Sequence, residues 1–248
     1  MIEVINLFKS FPNKSILEDI SLVFEQGKTN LVIGQSGSGK TVLIKCIVGL
    51  VEIDSGQILY NNRPFNTMNF EEKKSIRQEI GMIFQGGALF DSMNVEENIS
   101  FPLKMFTNQS AEQNRDRTNF CLKRVNLENV NKLYPAEISG GMKKRVSIAR
   151  AIALNPKYLF CDEPTSGLDP KTSVIIDNLI SEITEEYNIT TVINTHDMNS
   201  VFEIGQTIAF INKGKLWWRG NKDNILNSNN NELNDFILAS QLLKKLKK

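Results

Sequence analysis

The chain has 248 residues, 41% of them hydrophobic and 23% charged, which suits one or two domains with a substantial core. Its formal net charge of +1 gives no overall field that gathers nucleic acid or an anionic membrane. Met1-Ile2-Glu3-Val4 is not a charged lead into an apolar run, and no stretch approaches about 18 uninterrupted apolar residues. With Cys46, Cys121 and Cys161 far apart in apolar patterns, neither a metal site nor a disulfide framework is expected, and the reading is a cytoplasmic chain.

Short apolar runs predict strands at 2–7, 20–24, 31–33 and 57–60, with a helix over 41–50 between the last two. A further strand over 80–84 ends at Gln85-Gly86-Gly87. Residues 88 to about 134 are more polar, helical in period over 117–125, and carry Pro102 and Pro135 as breakers. They read as part of an inserted helical subdomain running to about residue 150. A helix follows Ser139 to about 154, and Asn155-Pro156 stops it ahead of a buried strand at 158–161. Helix 171–186, strand 190–194, helix 199–204 and strand 207–211 complete the alternation, which predicts a parallel, doubly wound sheet. A hairpin at 212–215 closes a domain of about 1–220. In 221–234 seven of fourteen residues are Asn, predicting a turn or connection before a basic helical tail that ends the chain.

Five places along the chain carry chemistry. Gly34-Gln35-Ser36-Gly37-Ser38-Gly39-Lys40-Thr41 fits G-x-x-x-x-G-K-[ST] between a strand and a helix, the context that motif requires. Its glycines expose backbone N–H groups to phosphates, Lys40 reaches the β/γ oxygens, and the Thr41 hydroxyl suits Mg²⁺. Asp162 and Glu163 leave the carboxyl end of a hydrophobic strand, where Asp162 suits the Mg²⁺ shell and Glu163 can orient or deprotonate a water. Gln85 ends its own strand and can join the Mg²⁺ shell, while His196, the only histidine, follows the 190–194 strand and can meet a terminal phosphate. Ser139-Gly140-Gly141-Met142-Lys143-Lys144-Arg145 opens a helix with a capping hydroxyl, two glycines and local positive charge, which makes a second phosphate site.

In this order the motifs resemble the nucleotide-binding subunit of ABC transporters over almost the whole chain. The resemblance implies a P-loop NTPase core with an N-terminal antiparallel β-subdomain and the inserted α-helical subdomain. It implies ATP and Mg²⁺ as ligands, Gln85 and His196 as switch residues, and Phe11 as the aromatic stacked on adenine. It further implies that Ser139, Gly140 and Gly141 meet ATP held by a second copy in a head-to-tail dimer, together with Asp169 of the Ser166-Gly167-Leu168-Asp169 loop. The family's signature continues with Gln where this chain has Met142. Ser-Gly-Gly-Met with basic residues, and the segment 81–103, are similar to the ATPases of bacterial Mla/Mce phospholipid transport. That implies a motor peripheral to the inner face of the membrane, an integral-membrane permease as partner, and an Mce-type lipid-binding protein beyond it. An ABC ATPase of another transporter, or one serving iron–sulfur assembly, is the alternative. A GTPase reading of Asn212-Lys213-Gly214-Lys215 fails because Lys215 stands where an Asp must accept from guanine.

Overall fold

A computed structural model describes residues 1–12 and 14–238. Four strands, β1 (Ile2–Phe11), β2 (Lys14–Phe24), β4 (Ser55–Tyr60) and β5 (Arg63–Pro64), pair antiparallel in the order β2-β1-β4-β5. The larger sheet holds β3 (Thr29–Ile33), β6 (Ile80–Ile83), β7 (Tyr158–Asp162), β8 (Thr190–Thr195), β9 (Thr207–Asn212) and β10 (Lys215–Gly220). Its order is β10-β9-β3-β8-β7-β6, parallel throughout except for the β10 edge. Strands β3 and β8 are buried at every position, as expected of parallel strands covered on both faces.

Among the described residues the α-helices are α1 (Lys40–Ile47), α2 (Phe70–Gln78), α3 (Val95–Phe106), α4 (Ala111–Arg124), α5 (Gly140–Ala151), α6 (Pro170–Glu186), α7 (Met198–Ile204) and α8 (Asn231–Leu238). Alternation along the central strands sends Val32, Phe160 and Val192 to one face, where α1 and the antiparallel sheet bury them with Leu43, Leu22 and Tyr60. Leu31, Cys161 and Ile193 face the other way into a core completed by α3 to α8, including Ile99, Leu122, Val146, Ile180 and Ile237. All three cysteines are free and buried. Among the described residues no helix is long and apolar enough to cross a membrane.

Three local differences from the sequence reading have physical causes. Pro102 lies inside α3 rather than breaking it, because Val95, Ile99 and Leu103 hold that helix on the core and outweigh its lost hydrogen bond. Helix α2 buries only Ile76, so it has almost no apolar period; its sequence mark is the reciprocal cap between Asn69 and Glu72. The asparagine-rich run is ordered in its own right: Asn221 and Asn224 close a turn on each other, Asn230 Oδ1 accepts from the Leu233 N–H (2.8 Å) to start α8, and Ile225 and Leu233 are buried. The basic tail beyond Leu238 lies outside the described residues.

Candidate functional site

Strand order β9-β3-β8-β7 brings several parallel strand ends together, and residues 34–41 run from the end of β3 into α1 there. At Gly34 (φ 151°) a Cβ would lie 2.1 Å from the Ile211 carbonyl oxygen, so the loop admits no side chain. Gly39 (φ 108°) occupies the N-cap of α1 and supplies no capping group, which leaves the first-turn N–H groups for a ligand. Lys40 is buried, and its Nζ donates to the carbonyls of Gly34 (2.8 Å) and Gln35 (3.0 Å). Burial lowers its pKa, and the carboxylates of Glu163 and Asp162 oppose that shift.

Thr41 in α1, Asp162 at the end of β7 and Asn194 in β8 form one cluster. Asn194 Nδ2 donates to Asp162 Oδ1 (2.5 Å) and to Thr41 Oγ1 (3.1 Å), and Thr41 Oγ1 approaches Asp162 Oδ1 at 3.4 Å. Glu163 follows in the left-handed region (φ 49°), a conformation costing about 1–2 kcal/mol for a residue with a Cβ, and its N–H bonds the Asn194 carbonyl. Its Oε1 lies 2.8 Å from His196 Nδ1, which pairs the carboxylate with the imidazole.

These groups share a cavity of about 870 Å³ whose walls include Gln35, Ser36, Gly37, Lys40, Thr41, Gln85, Glu163 and His196. Lys14, Ile16, Asn194, Met198 and Phe236 also face it, and the sequence reading had singled out none of them. Asn194 is the last residue of the strand predicted at 190–194, and nothing in its local sequence sets it apart. Phe236 comes from α8, far along the chain, with no local signal. Gly34, Ser38 and Gly39 shape the loop, and the Ser38 hydroxyl is buried without a partner among the described residues. Phe11 sits at the exposed tip of the β1–β2 hairpin beside Lys14, with Lys9 Nζ 5.4 Å from its ring centre. It does not line the cavity.

Gln85 is on the cavity wall, but its amide donates to Ser166 Oγ (3.4 Å) and not to the Thr41–Asp162 pair. The main-chain carbonyl of Gln85 accepts from Lys144 Nζ, a buried ammonium of α5 whose pKa burial lowers. Ser139 caps α5 by accepting from the Met142 N–H (3.2 Å), and Met142 packs its side chain on the main core. Ser139, Gly140 and Gly141 do not line the cavity of their own chain. Asp169 caps α6 through Thr172, and the preceding Ser166, Gly167 and Leu168 share a smaller cavity with Glu163 and His196.

The parts suit a nucleoside triphosphate with a divalent metal. An uncapped helix, a buried lysine and an orphan buried hydroxyl fit phosphate oxygens, and a Thr–Asp pair fits Mg²⁺ brought in with those phosphates. The fold and loop therefore define a phosphate-loop nucleoside triphosphatase. The family described as ABC transporter matches residues 17–166. A methionine import ATP-binding protein, MetN, of Clostridium tetani is 38% identical over 98% of this chain and 76% of its own length. A probable ribonucleotide transport ATP-binding protein, mkl, of Mycobacterium leprae is 36% identical over 95% of this chain and 68% of its own. Among solved structures, cbiO1 of Clostridium perfringens, part of the cbiONQ transporter complex, superposes with TM-score 0.85 at 28% identity over 99% of this chain and 98% of that one. The dimeric post-hydrolysis cassette MJ0796 bound to ADP and Pi superposes with TM-score 0.81 at 31% identity, over 90% of this chain and 99% of that one. The chain belongs to the ABC transporter ATP-binding family, and its ligand is ATP with Mg²⁺.

Proposed function

We propose that this chain is the ATP-hydrolysing motor of a bacterial membrane transporter, working as a head-to-tail dimer on the cytoplasmic face of the membrane. The observation that carries the reading is the assembly of Lys40, Thr41, Glu163 and His196 around one cavity from which the Ser139 signature is absent. Each copy then offers half of two composite sites: its own phosphate loop, and Ser139, Gly140, Gly141 and Asp169 for ATP held by its partner. Lys40 and the loop amides bind the phosphates, and Thr41, Asp162 and Gln85 would hold Mg²⁺, which offsets charge on the phosphate oxygens. Glu163 orients and deprotonates the attacking water, with His196 pairing its carboxylate. Phe11 stacks on the base from the hairpin tip.

An apolar groove of about 450 Å³ beside the Gln85 loop supports a permease as partner. Phe84, Phe90, Phe101, Pro102 and Phe106 line it, and Phe84, Phe90 and Phe106 are exposed. The test of the motor is Glu163→Gln: turnover should fall by about 10³-fold or more while ATP still binds and dimers persist. Normal turnover would sink the assignment of Glu163.

The cargo has two readings. Similarity of residues 81–103 and Met142 to the Mla/Mce ATPases favours a phospholipid and an Mce-type lipid-binding protein in the assembly. Met142 packs as an ordinary apolar side chain, and the relatives above carry methionine and ribonucleotide in their names, with 38% identity to the methionine ATPase. That identity favours methionine. Purification from the native host in mild detergent separates them: an Mce-type subunit with the permease supports lipid, and a permease whose ATPase responds to methionine supports the other. Soluble scaffold partners would move the chain to iron–sulfur assembly.

A further inference from the structure

Strand β8 lies between β3, which carries the phosphate loop, and β7, which ends in Asp162, and Asn194 stands in register with both Val32 and Asp162. It shares a face with Val192, the face covered by α1, and so meets Thr41 in that helix's first turn. A primary amide has two kinds of contact to make, and here they divide cleanly. Asp162 only accepts hydrogen bonds when ionised, so the NH₂ end must face it, and that end reaches both Asp162 Oδ1 and Thr41 Oγ1. The other end, Oδ1, is buried without a partner among the described residues, in a side chain only 1% exposed on the cavity wall. An unpaired buried carbonyl is costly to keep, and an apolar residue of similar size would avoid that cost.

On the reading that Thr41 and Asp162 hold Mg²⁺, we propose that Asn194 is a positioning residue for the metal. Its NH₂ group fixes the spacing of Thr41 Oγ1 and Asp162 Oδ1, and its Oδ1 is the acceptor for a water of the metal's shell. Bound divalent ions keep several waters, each a strong donor, and outer partners of this kind orient the direct ligands. The chain thereby adds an amide from a third element, β8, to the hydroxyl and carboxylate of its metal site. Asn194 touches neither reacting atom nor nucleotide in this role, so its signature is the metal dependence of nucleotide binding.

The test compares Asn194→Val, Asn194→Asp and Asp162→Asn in the full chain by titrating a fluorescent ATP analogue against MgCl₂, and against EDTA, without hydrolysis. Asn194→Val should raise the Mg²⁺ needed for half-maximal tightening about 10-fold or more, with affinity in EDTA unchanged. Asn194→Asp places a second carboxylate beside Asp162 and should melt lower than wild type in EDTA, with Mg²⁺ alone restoring most of the difference. An unchanged Mg²⁺ requirement in the Val variant, or equal loss with and without metal, overturns the proposal and leaves Asn194 a packing residue. If Asn194→Val does not fold, the melting response of Asn194→Asp decides alone. Loss of Mg²⁺ dependence in Asp162→Asn without any effect at Asn194 rejects this inference and spares the motor. A wild-type chain whose ATP affinity ignores Mg²⁺ rejects the underlying reading instead.

Discussion

At the scale of single residues, the basic start of α5 changes meaning once its contacts are known. Lys143, Lys144 and Arg145 sit where a helix dipole disfavours cations, so from sequence alone they read as partners for phosphate. Lys144 instead spends its ammonium on the Gln85 carbonyl, and Arg150, one helical stretch later, donates to the carbonyls of Gly87 (2.7 Å) and Ala88 (2.8 Å). Burial lowers the pKa of both, which is the mark of cations held against the loop and away from solvent. They clamp a segment that contains Ala88 at φ 47°, so α5 and the Gln85 loop are bonded directly to each other. Lys144→Met should leave the Gln85 carbonyl unbonded, at a cost of about 1.5–3 kcal/mol to local order. Hydrogen exchange at the Gly87 amide, now bonded to the Phe84 carbonyl at 2.8 Å, should then accelerate by at least about 10-fold, with steady-state hydrolysis reduced. Unchanged exchange would mean that Arg150 alone holds the loop. The phosphate loop was legible because its chemistry is contiguous in sequence. The Lys144 bond spans 59 residues and leaves no local trace.

At the scale of elements, most of the fold was readable because parallel strands buried on both faces carry apolar runs, Leu31–Ile33 in β3 and Val192-Ile193 amid the buried threonines of β8, and helices between them carry a 3.6-residue period. The failures came where tertiary contact outweighed a local rule, at Pro102 in α3, or where side-chain capping replaced apolar period, at α2 and in the run before α8. The packing of α6 on α7 contains a further polar group that no pattern marks. Asp177 is buried, one of its oxygens accepting from Ser200 Oγ (2.6 Å) and the other without a partner among the described residues. Burial pushes its carboxyl up to about 6, Ser200 opposes that shift, and the nearby charges of Asp197 and Glu203 add to it. A carboxyl raised from 3.8 binds its proton more tightly in the folded chain than in the unfolded one. Its favourable contribution is therefore complete below about pH 4 and is lost as pH rises to about 6. Asp177→Asn keeps an acceptor for Ser200 without the charge, so it should stabilise the protein at pH 7 by about 1–2 kcal/mol. It should also remove that part of the pH dependence, read from urea unfolding at pH 4.5 and 7. A variant less stable than wild type at pH 7 would show that the ionised carboxylate is in fact stabilised by a partner.

At the scale of the whole molecule, the decisive question is whether the two halves of the site come from different copies. Within one chain the cavity holds Lys40, Thr41, Glu163 and His196 but not Ser139, Gly140 or Gly141, and Gly140 is open enough that an added Cβ would meet only Leu168, at 3.9 Å. Sequence alone yields the list of motifs, but not their separation in space, because that depends on how α5 packs across the core. Ser139→Arg should suppress hydrolysis by about 100-fold or more while the isolated chain still binds ATP; Ser139→Ala, which loses only a cap of about 0.5–2 kcal/mol, controls for helix stability. Lys40→Ala should fail at the other half, by losing phosphate binding. Neither variant alone turns over, but mixing them separates the two geometries. If the site is shared head to tail, a mixed dimer pairs the intact phosphate loop of the Ser139→Arg copy with the intact signature of the Lys40→Ala copy, and one of its two sites is whole. At equal amounts about half of the dimers are mixed, so turnover should recover to as much as about a quarter of wild type. If each copy completes its own site, every site in the mixture carries a lesion and turnover stays at the sum of the two variants.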